Sequence, residues 1–330
     1  MEFFNPNSNV NFMGIRRWTV SLSLILFLAS IVSLSTRGLN LALDFTGGTL
    51  VEVVYAQPTE QAAVSAALAK IGMEKAVVQR FDAQNYAIRL SPKEVTDLAT
   101  AVHADARAED GSNLDTRNSQ VADNLLKALG ADGQQVTKKH SEYVGPQVGS
   151  DLAWGGLVAV VVVLVGIMIY IMMRFELKFA IATVVTELHD VVLTLGFFSL
   201  TGMEFDLAVL AAILAVDGYS VNDTIVVFDR VRELFKTTRN LAPVEVLNKA
   251  VNSTLSRTIM TSLATALTVL ALFLFGGPTL KGFSTALLIG IVVGTLSSIF
   301  FANPLLLWLG VTKQDLMPKA KDEAELARRP

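Results

Sequence analysis

The sequence predicts a polytopic α-helical membrane protein: six transmembrane helices plus a ferredoxin-like α+β extracytoplasmic domain. Three observations support this fold class: a strongly apolar composition, six windows long enough to cross a bilayer, and one long segment of soluble character. Of the 330 residues, 52% are hydrophobic and 17% are charged. This balance is more apolar than that of an ordinary soluble chain and is typical of membrane proteins.

Six apolar windows have roughly the 20 residues that a helix needs to cross a hydrocarbon core about 30 Å thick. They cover residues 18–35, 151–173, 179–201, 205–228, 257–275 and 283–309. The first window has an alternative interpretation as a cleaved secretory signal, because Arg16 and Arg17 precede it and residues 33–35 resemble a cleavage site. Its apolar stretch is longer than a signal core, which favours an uncleaved anchor.

Basic residues in the short loops predict the orientation. They are concentrated on one side: Arg16, Arg17, Arg174, Lys178, Arg230, Arg232, Lys236, Arg239 and Lys249. The opposite short loops carry only Lys281. By the positive-inside rule both termini are cytoplasmic. The predicted order is a cytoplasmic N-terminus with helix one (1–36), an extracytoplasmic α+β domain (37–150), helices two to six (151–309) and a cytoplasmic tail (310–330).

The segment between the first two windows has the patterns of a soluble α+β domain. Strands are predicted over residues 49–56, 76–81, 86–90 and 135–143, and helices over 58–71 and 119–129. This β-α-β-β-α-β order is that of a ferredoxin-like unit, with residues 92–117 as an insertion.

Several classes of function are disfavoured. The formal net charge of −3 lacks the basic excess that a nucleic-acid partner requires. Cysteine is absent, so disulfides and thiolate metal sites are excluded. The sequence shows no Ser-His-Asp or Cys-His arrangement, no metal-binding cluster and no phosphate-binding glycine loop. We therefore expect neither an enzyme nor a bound cofactor or metal.

Ionisable side chains inside the predicted third, fourth and fifth helices are the candidate site, because such groups are costly in hydrocarbon and by default mark a pathway or coupling site. One face of the third helix carries Thr183, Glu187, Asp190 and Thr194, with His189 beside it. The fourth helix carries Asp217, Tyr219, Ser220, Asn222 and Asp223. The fifth begins at Arg257 and has a hydroxyl stripe of Thr254, Thr258, Thr261, Thr265 and Thr268.

Asp223 and Arg257 are predicted to lie at one depth, about 8 to 11 Å inside the cytoplasmic edge at about 1.5 Å per residue, and so to pair. Burial and a neighbouring guanidinium act in opposite directions on a carboxyl, so this site could protonate reversibly. Asp217 is expected to be a second titrating group, about 9 Å outward of Asp223.

Each of these groups also has a structural interpretation. The Asp223–Arg257 pair could be a static salt bridge between two helices, and the acids of helix three could only line a hydrated interior. The threonine hydroxyls could bond the carbonyl one turn back, and Gly290, Gly294 and Ser298 of helix six are expected to be packing residues.

Several motifs, in order and at matching topological positions, resemble the SecD/SecF family of bacterial protein-export membrane proteins, within the resistance-nodulation-division superfamily. They are residues 44–49 (DFTGGT), 144–147 (VGPQ), 189–190 (HD), 218–232 (GYSVNDTIVVFDRVR), 252–262 (NSTLSRTIMTS), 276–277 (GG) and 294–298 (GTLSS). The resemblance runs from about residue 11 to residue 309.

The resemblance implies a multi-pass subunit of the bacterial cytoplasmic (inner) membrane that pairs with a homologous SecD-like subunit. It also implies action beside the SecYEG channel, where the proton gradient assists late translocation of unfolded secretory polypeptides. The membrane Asp and Arg of the family fall on Asp223 and Arg257. Two positions depart from the family pattern: Asp217 stands where an apolar residue is expected, and Glu187 adds a carboxyl beside the His-Asp pair.

Two other functions remain open from the sequence. One is a proton-driven exporter of small molecules or lipids from the same superfamily, although such exporters usually fuse two six-helix halves with two large outer domains. The other is a membrane-anchored assembly factor without ion coupling, in which the buried charges are structural.

Overall fold

The structure, a computed structural model, describes residues 9–73, 76–95, 114–130, 134–238 and 241–316. The α-helices that lie wholly within the described residues are α1 (Arg16–Thr36), α2 (Leu43–Thr46), α3 (Gln61–Lys70), α4 (Leu114–Leu129), α5 (Pro146–Arg174), α6 (Leu177–Thr201), α7 (Leu207–Thr237), α8 (Pro243–Phe275), α9 (Gly277–Phe300) and α10 (Ala302–Trp308). The strands are β1 (Asn40–Leu41), β2 (Gly48–Tyr55), β3 (Val77–Arg80), β4 (Asn85–Leu90), β5 (Val136–Val144) and β6 (Glu204–Phe205).

The number of membrane-spanning helices is as the sequence predicts. In the described part of the chain, six helical stretches are long and apolar enough to cross a bilayer: Met13–Thr36, Gln147–Arg174, Leu177–Thr201, Leu207–Thr237, Pro243–Phe275 and Thr279–Trp308. The last of them runs through α9 into α10. The fold class predicted from composition and windows is confirmed.

The chain forms two compact units. The helical unit comprises residues 1–40, 159–203 and 208–330, and the α+β unit comprises residues 41–158 and 204–207. The predicted segment boundaries at 37 and 150 stay a prediction, because compactness does not show on which side of a membrane a segment lies.

The helix ends of the helical unit follow from local sequence. Gly202 ends α6 in the left-handed region, with φ of 65°, which glycine adopts without steric cost. Pro243 occupies the first position of α8, where its missing N–H leaves no bond unmade. The Glu245 side chain accepts the Ala242 N–H at 3.1 Å, which satisfies the start of the same helix.

Small residues let the helices of this unit approach closely. A Cβ on Gly196 of α6 would lie 2.2 Å from the Ser30 Cβ on α1, and one on Gly290 of α9 would lie 2.4 Å from a Val216 methyl on α7. Close backbone approach is the usual packing mode of membrane helices. It agrees with the packing role expected for Gly290.

The α+β unit has the ferredoxin-like arrangement. Its four-stranded sheet has the order β3-β4-β2-β5, with every neighbouring pair antiparallel. Val51 in β2 lies opposite Ile88 in β4, and a register shift between Glu52 and Val53 marks a bulge against β5. The predicted insertion 92–117 lies largely outside the described residues.

The core of the α+β unit lies between the sheet and its two long helices. Alternate residues of β2 and β4 are buried with apolar residues from α3 and α4, and the large ones are Val51, Val53, Tyr55, Leu68, Tyr86, Ile88, Leu90 and Leu125. The buried Tyr86 hydroxyl donates to the Thr59 carbonyl, so this large side chain leaves no polar atom unbonded.

Candidate functional site

The polar face predicted on the third membrane helix is buried inside the helical unit. Thr183, Glu187, Asp190 and Thr194 of α6 are all buried, and the Thr183 and Thr194 hydroxyls donate to the carbonyls one turn back. The two carboxyls of this face differ in what surrounds them.

Asp190 is fully hydrogen-bonded. Its Oδ1 bonds the His189 Nδ1 at 2.9 Å, and its Oδ2 accepts the hydroxyls of Ser220 at 3.2 Å and Ser297 at 2.5 Å. His189 Nε2 in turn meets the Ser23 hydroxyl of α1 at 2.6 Å. Three hydrogen-bond partners thus surround the Asp190 carboxyl.

The imidazole of His189 is held between two aromatic rings. Phe27 of α1 and Phe301 stack on it with centroid separations of 5.7 and 4.3 Å. Together with the hydrogen bonds at both ring nitrogens, this fixes the ring orientation and hence the direction of the bond to Asp190.

Glu187 and Asp217 lie close to Asp190 but are not satisfied in the same way. Glu187 is 0% exposed and Asp217 is 3% exposed. Within the described residues, both Glu187 carboxyl oxygens and the Asp217 Oδ1 have no hydrogen-bond partner. The Glu187 carboxyl faces the carboxyls of Asp190 and Asp217 and the Ser220 hydroxyl.

A small cavity adjoins these carboxyls. It is lined by Asp190, Thr194, Asp217, Ser220 and three aliphatic residues with Gly290, and it leaves about 10 Å³ for the centre of a water molecule. That is the space needed for roughly one water.

Asp223 lies about one and two-thirds turns further along α7 from Asp217 and has a separate environment. It is 4% exposed, and its Oδ2 accepts the Ser262 hydroxyl of α8 at 3.2 Å. The Ser262 oxygen also accepts the Thr295 hydroxyl of α9 at 2.8 Å, so the carboxyl ends a short chain across three helices.

The predicted direct pair between Asp223 and Arg257 does not form in this structure. Arg257 is exposed, and in the described part of the chain no ion pair within 4.0 Å joins it to Asp223, although it remains near enough to act electrostatically. Ser262, which faces Asp223, is five residues beyond Arg257, or about 140° further around α8. The two side chains therefore occupy different faces of that helix.

The remaining candidate residues divide between the interior and the surface. Tyr219 accepts the Thr265 hydroxyl at 3.3 Å, whereas Asn222 is exposed. The hydroxyls of the stripe bond backbone carbonyls three or four residues back, as in the structural interpretation: Thr254, Thr261, Thr265 and Thr268. Thr258 is the exception, because its buried hydroxyl lacks a partner among the described residues.

Sequence reasoning missed three hydroxyl residues of these networks. Ser23, Ser262 and Ser297 each bond a predicted site residue directly. Ser262 and Ser297 lie inside motifs 252–262 and 294–298, but hydroxyls on membrane helices usually bond their own helix, so nothing in the pattern singled them out. In the described ranges no group of three or more His, Asp or Glu residues is placed to hold a metal ion.

Six helices able to cross a membrane, a ferredoxin-like insertion and carboxyls buried among helix-borne hydroxyls define a polytopic membrane protein with ionisable groups in its interior. Comparison with known proteins identifies its family. The family model described as protein export membrane protein SecD/SecF, C-terminal, matches residues 124–312, and the SecD/SecF GG motif matches residues 32–59. The chain belongs to the SecD/SecF family of protein-export membrane proteins.

Curated relatives agree over nearly their whole length. The chain is 42% identical to protein translocase subunit SecF of Pseudomonas aeruginosa, over 96% of this chain and 97% of that one. It is 38% identical to the SecF subunit of Escherichia coli O157:H7, over 97% of this chain and 94% of that one. A translocase subunit of the SecF type, and a multi-pass protein of the inner membrane, is what these likenesses and the six apolar helices establish.

A solved structure shares the fold. The crystal structure of SecDF, a translocon-associated membrane protein from Thermus thermophilus, matches with a TM-score of 0.79 and 33% identity over 93% of this chain. This chain spans 39% of the length of that protein. A second SecDF structure, in a super-membrane-facing form, matches with a TM-score of 0.65. The resemblance stated from the motifs is thereby confirmed.

Proposed function

We propose that the chain couples the transmembrane proton gradient to late translocation of unfolded secretory polypeptides, acting with a SecD-like subunit beside the SecYEG channel. One observation carries the proposal. The Asp223 carboxyl is buried between α7 and α8, within motif 218–232, and has one serine hydroxyl as donor and Arg257 within electrostatic range.

Asp223 is the group that takes up and releases the proton. A neutral carboxyl can keep its bond to Ser262, because a hydroxyl both donates and accepts, so protonation does not require the hydrogen-bond chain to break. What protonation removes is the attraction to Arg257. The two states of the site therefore differ mainly in the force between α7 and α8.

The gradient supplies enough free energy for such a switch. One elementary charge crossing the membrane potential carries about 2.3 kcal/mol per 100 mV. Couplings of about 1–3 kcal/mol are typical of allosteric transitions. A proton at Asp223 can therefore bias a bundle that has two arrangements.

The SecD-like partner is supported by the exposed face of α8. Arg257 and Thr261 are exposed there, and Thr265 is half-buried. A guanidinium and several hydroxyls facing hydrocarbon are costly, which favours a protein partner over lipid on this face. The longer SecDF chain of Thermus thermophilus, of which this chain spans 39%, agrees with a second half.

The polypeptide contact is supported by the α+β unit. Its helices α3 and α4 cover one face of the sheet, and the other face presents the half-buried Leu50, Glu52 and Val54 of β2. An open sheet surface suits extended chains, because it offers alternating side-chain sites without a specific pocket. Contact with SecYEG rests on the family alone, and the cytoplasmic position of both termini rests on the basic loops.

Asp223→Asn tests the proposal. The amide keeps the shape of the neutral carboxyl but cannot exchange a proton, so we expect normal insertion and loss of gradient-stimulated export to the level seen without a gradient. The measurement is export of a reporter in inverted membrane vesicles, with and without an imposed proton gradient. A gradient response that survives in Asp223→Asn overturns the assignment of this carboxyl.

Two further variants sharpen the result. Asp229→Asn, at an exposed carboxylate of the same helix that pairs with Arg174 at 3.1 Å, should export as the wild type does. Arg257→Ala should insert and fold, since Arg257 is exposed and forms no close pair with Asp223 in the described part of the structure, and should also lose the gradient response.

A further inference from the structure

Glu187 and Asp217 are the two positions at which the sequence departs from the family pattern, and the structure brings them together. Glu187 is on α6 and Asp217 is on α7, and the two buried carboxyls face each other. Asp217 precedes Asp223 by six residues, or about 9 Å along the helix. The pair is therefore separate from the Asp223 site.

Unsatisfied atoms mark this pair as a site that needs a ligand. Both oxygens of Glu187 and the Oδ1 of Asp217 have no hydrogen-bond partner in the described residues, whereas neighbouring Asp190 has three donors. A buried polar atom without a partner is costly, and two adjacent buried carboxylates are costlier still. The two carboxyls therefore cannot both stay ionised here without a proton or a cation to compensate them.

The charged groups around the pair do not supply compensation. On α6 the nearby titratable groups are His189 and Asp190, and on α7 the Ser220 hydroxyl lies close. The hydroxyls of Ser23 on α1 and Ser297 on α9 bond His189 and Asp190 respectively. Among the groups that act on Glu187 in the described structure, none is a Lys or Arg. His189 is already engaged by Asp190 and Ser23.

We propose that Glu187 and Asp217 form a carboxyl–carboxylate pair that holds one proton inside the membrane. One proton resolves the geometry: an O–H on Glu187 donates to Asp217, so that a single hydrogen bond satisfies an atom on each side and one negative charge is removed. Two adjacent buried carboxyls titrate as a unit with a shared proton. Asp190 is outside this pair, because its carboxyl oxygens are already held by His189, Ser220 and Ser297.

The adjoining cavity has space for a water beside the shared proton. Asp217, Asp190 and Ser220 line it together with Thr194, and its space fits about one water. A water there can bond Asp217 and a hydroxyl at once. The pair goes beyond the Asp223 proposal, because it binds its proton whether or not Asp223 carries the transported one.

Difference infrared spectroscopy on the full-length protein in lipid vesicles tests the pair. A protonated carboxyl has a carbonyl stretch that a carboxylate lacks. In the wild type we expect a buried carboxyl band that shifts in D₂O, is present at a pH at which exposed carboxyls are ionised, and persists in Asp223→Asn. Glu187→Gln/Asp217→Asn should remove that band, and Asp229→Asn should leave it unchanged. The proposal is overturned if the band is missing from Asp223→Asn, or if it survives when Glu187→Gln/Asp217→Asn is added to Asp223→Asn.

Two further experiments distinguish the shared proton from a bound cation and from a folding failure. Replacing choline chloride by sodium chloride should not alter the band, and loss of the band with sodium means that the carboxylates hold a cation instead, which overturns the shared proton. Glu187→Leu/Asp217→Ile supplies an apolar replacement for the pair and should fold at least as stably as Glu187→Leu alone, since it leaves no orphaned carboxyl. If the double variant is the less stable of the two, the pair is not a mutually satisfied unit.

Discussion

The two compact units bury opposite kinds of residue. In the α+β unit the interior is apolar, with Val53, Leu68 and Ile88 among its buried residues, and Lys138 and Lys139 of β5 reach solvent. In the helical unit the buried faces of α6 and α7 carry carboxyls, an imidazole and hydroxyls, while large apolar residues such as Leu188 and Leu267 are exposed. The difference teaches that each unit is matched to a different surrounding solvent.

The source of stability differs accordingly. Moving apolar area out of water stabilises the α+β unit by about 25 cal/mol per Å². Membrane helices gain nothing of this kind from one another, because lipid tails are as apolar as leucine side chains, so close packing and internal hydrogen bonds hold them.

Two ionisable groups outside the spans are held in their ordinary charge state. Asp315 accepts the Lys178 ammonium at 2.8 Å and the Thr312 hydroxyl, and these donors lower the pKa of its carboxyl below the usual value. In the α+β unit, burial raises the pKa of the Tyr55 phenol to about 12, with a further contribution from Tyr86. Tyr55 thus stays neutral in the core.

The largest expected effect is on the apolar core of the α+β unit. Ile88→Ala removes a side chain that is 0% exposed and lies across from Val51, and we expect the unit to lose about 2–5 kcal/mol of stability. Hydrogen exchange of the β2 and β4 amides in the full chain measures this loss. Val77→Ala, at a residue of β3 that is 53% exposed, is the control and should cost less than about 0.5 kcal/mol. Equal effects of the two variants would mean that apolar burial does not hold this unit.

The next effect concerns close helix approach in the other unit. Gly196→Ala puts a Cβ 2.8 Å from the Ser30 Cα, so α1 and α6 must separate, and the Ser33–Ser199 bond at 2.8 Å is strained with them. We expect a destabilisation of about 1–3 kcal/mol. Denaturant unfolding in mixed micelles, followed by the fluorescence of a probe on α1, gives the value.

The matched control is Gly166→Ala on α5. A Cβ there meets no atom within 4 Å, so the variant should be neutral or slightly stabilising, since alanine favours helix more than glycine does. If Gly196→Ala behaves like Gly166→Ala, close packing of α1 on α6 is not a source of stability in this unit.

The smallest effect is local and depends on pH. The N–H groups of Gln84 and Asn85 each donate to the Asp82 Oδ1 at 2.8 Å, and these bonds lower the pKa of that carboxyl. A depressed folded-state pKa stabilises the turn above the unfolded value and loses that stabilisation as the pH falls through the folded value. The protection factors of the Gln84 and Asn85 amides, which are corrected for intrinsic exchange, should therefore fall on acidification.

Asp82→Asn should remove most of this additional acid dependence, because the amide oxygen accepts the same bonds at every pH. Asp123→Asn, at another exposed carboxylate of the unit, should leave it in place. An unchanged acid response in Asp82→Asn would show that another group controls the turn.

The sequence was sufficient for the features that depend on local pattern. The number of spans follows from window length, and the ferredoxin-like order follows from alternating and helical periodicities separated by turn residues. The buried face of α6 was also predictable, because Glu187, Asp190 and their threonines share a helical face. None of these requires knowledge of how one helix is rotated against another.

What the sequence did not provide depends on that rotation. Equal depth suggested a contact between Asp223 and Arg257, yet about 140° around α8 separates Arg257 from the Ser262 face that meets Asp223. Glu187 and Asp217 were recognisable one at a time as departures from a pattern. Their juxtaposition became visible only when α6 and α7 were packed together.

The α+β unit is not continuous in the chain: residues 204–207, which lead from α6 into the first residue of α7, belong to it along with residues 41–158. Arg89 forms an ion pair with Glu204, Phe45 stacks on Phe205 at 5.8 Å, and Asp44 accepts the Leu207 N–H at 3.0 Å. The unit therefore cannot be expressed whole as one continuous segment of the chain. A fragment of residues 41–158 alone would lack residues 204–207 and would expose the apolar and charged groups that contact them. Its solubility would reflect that loss before it reflected any binding property.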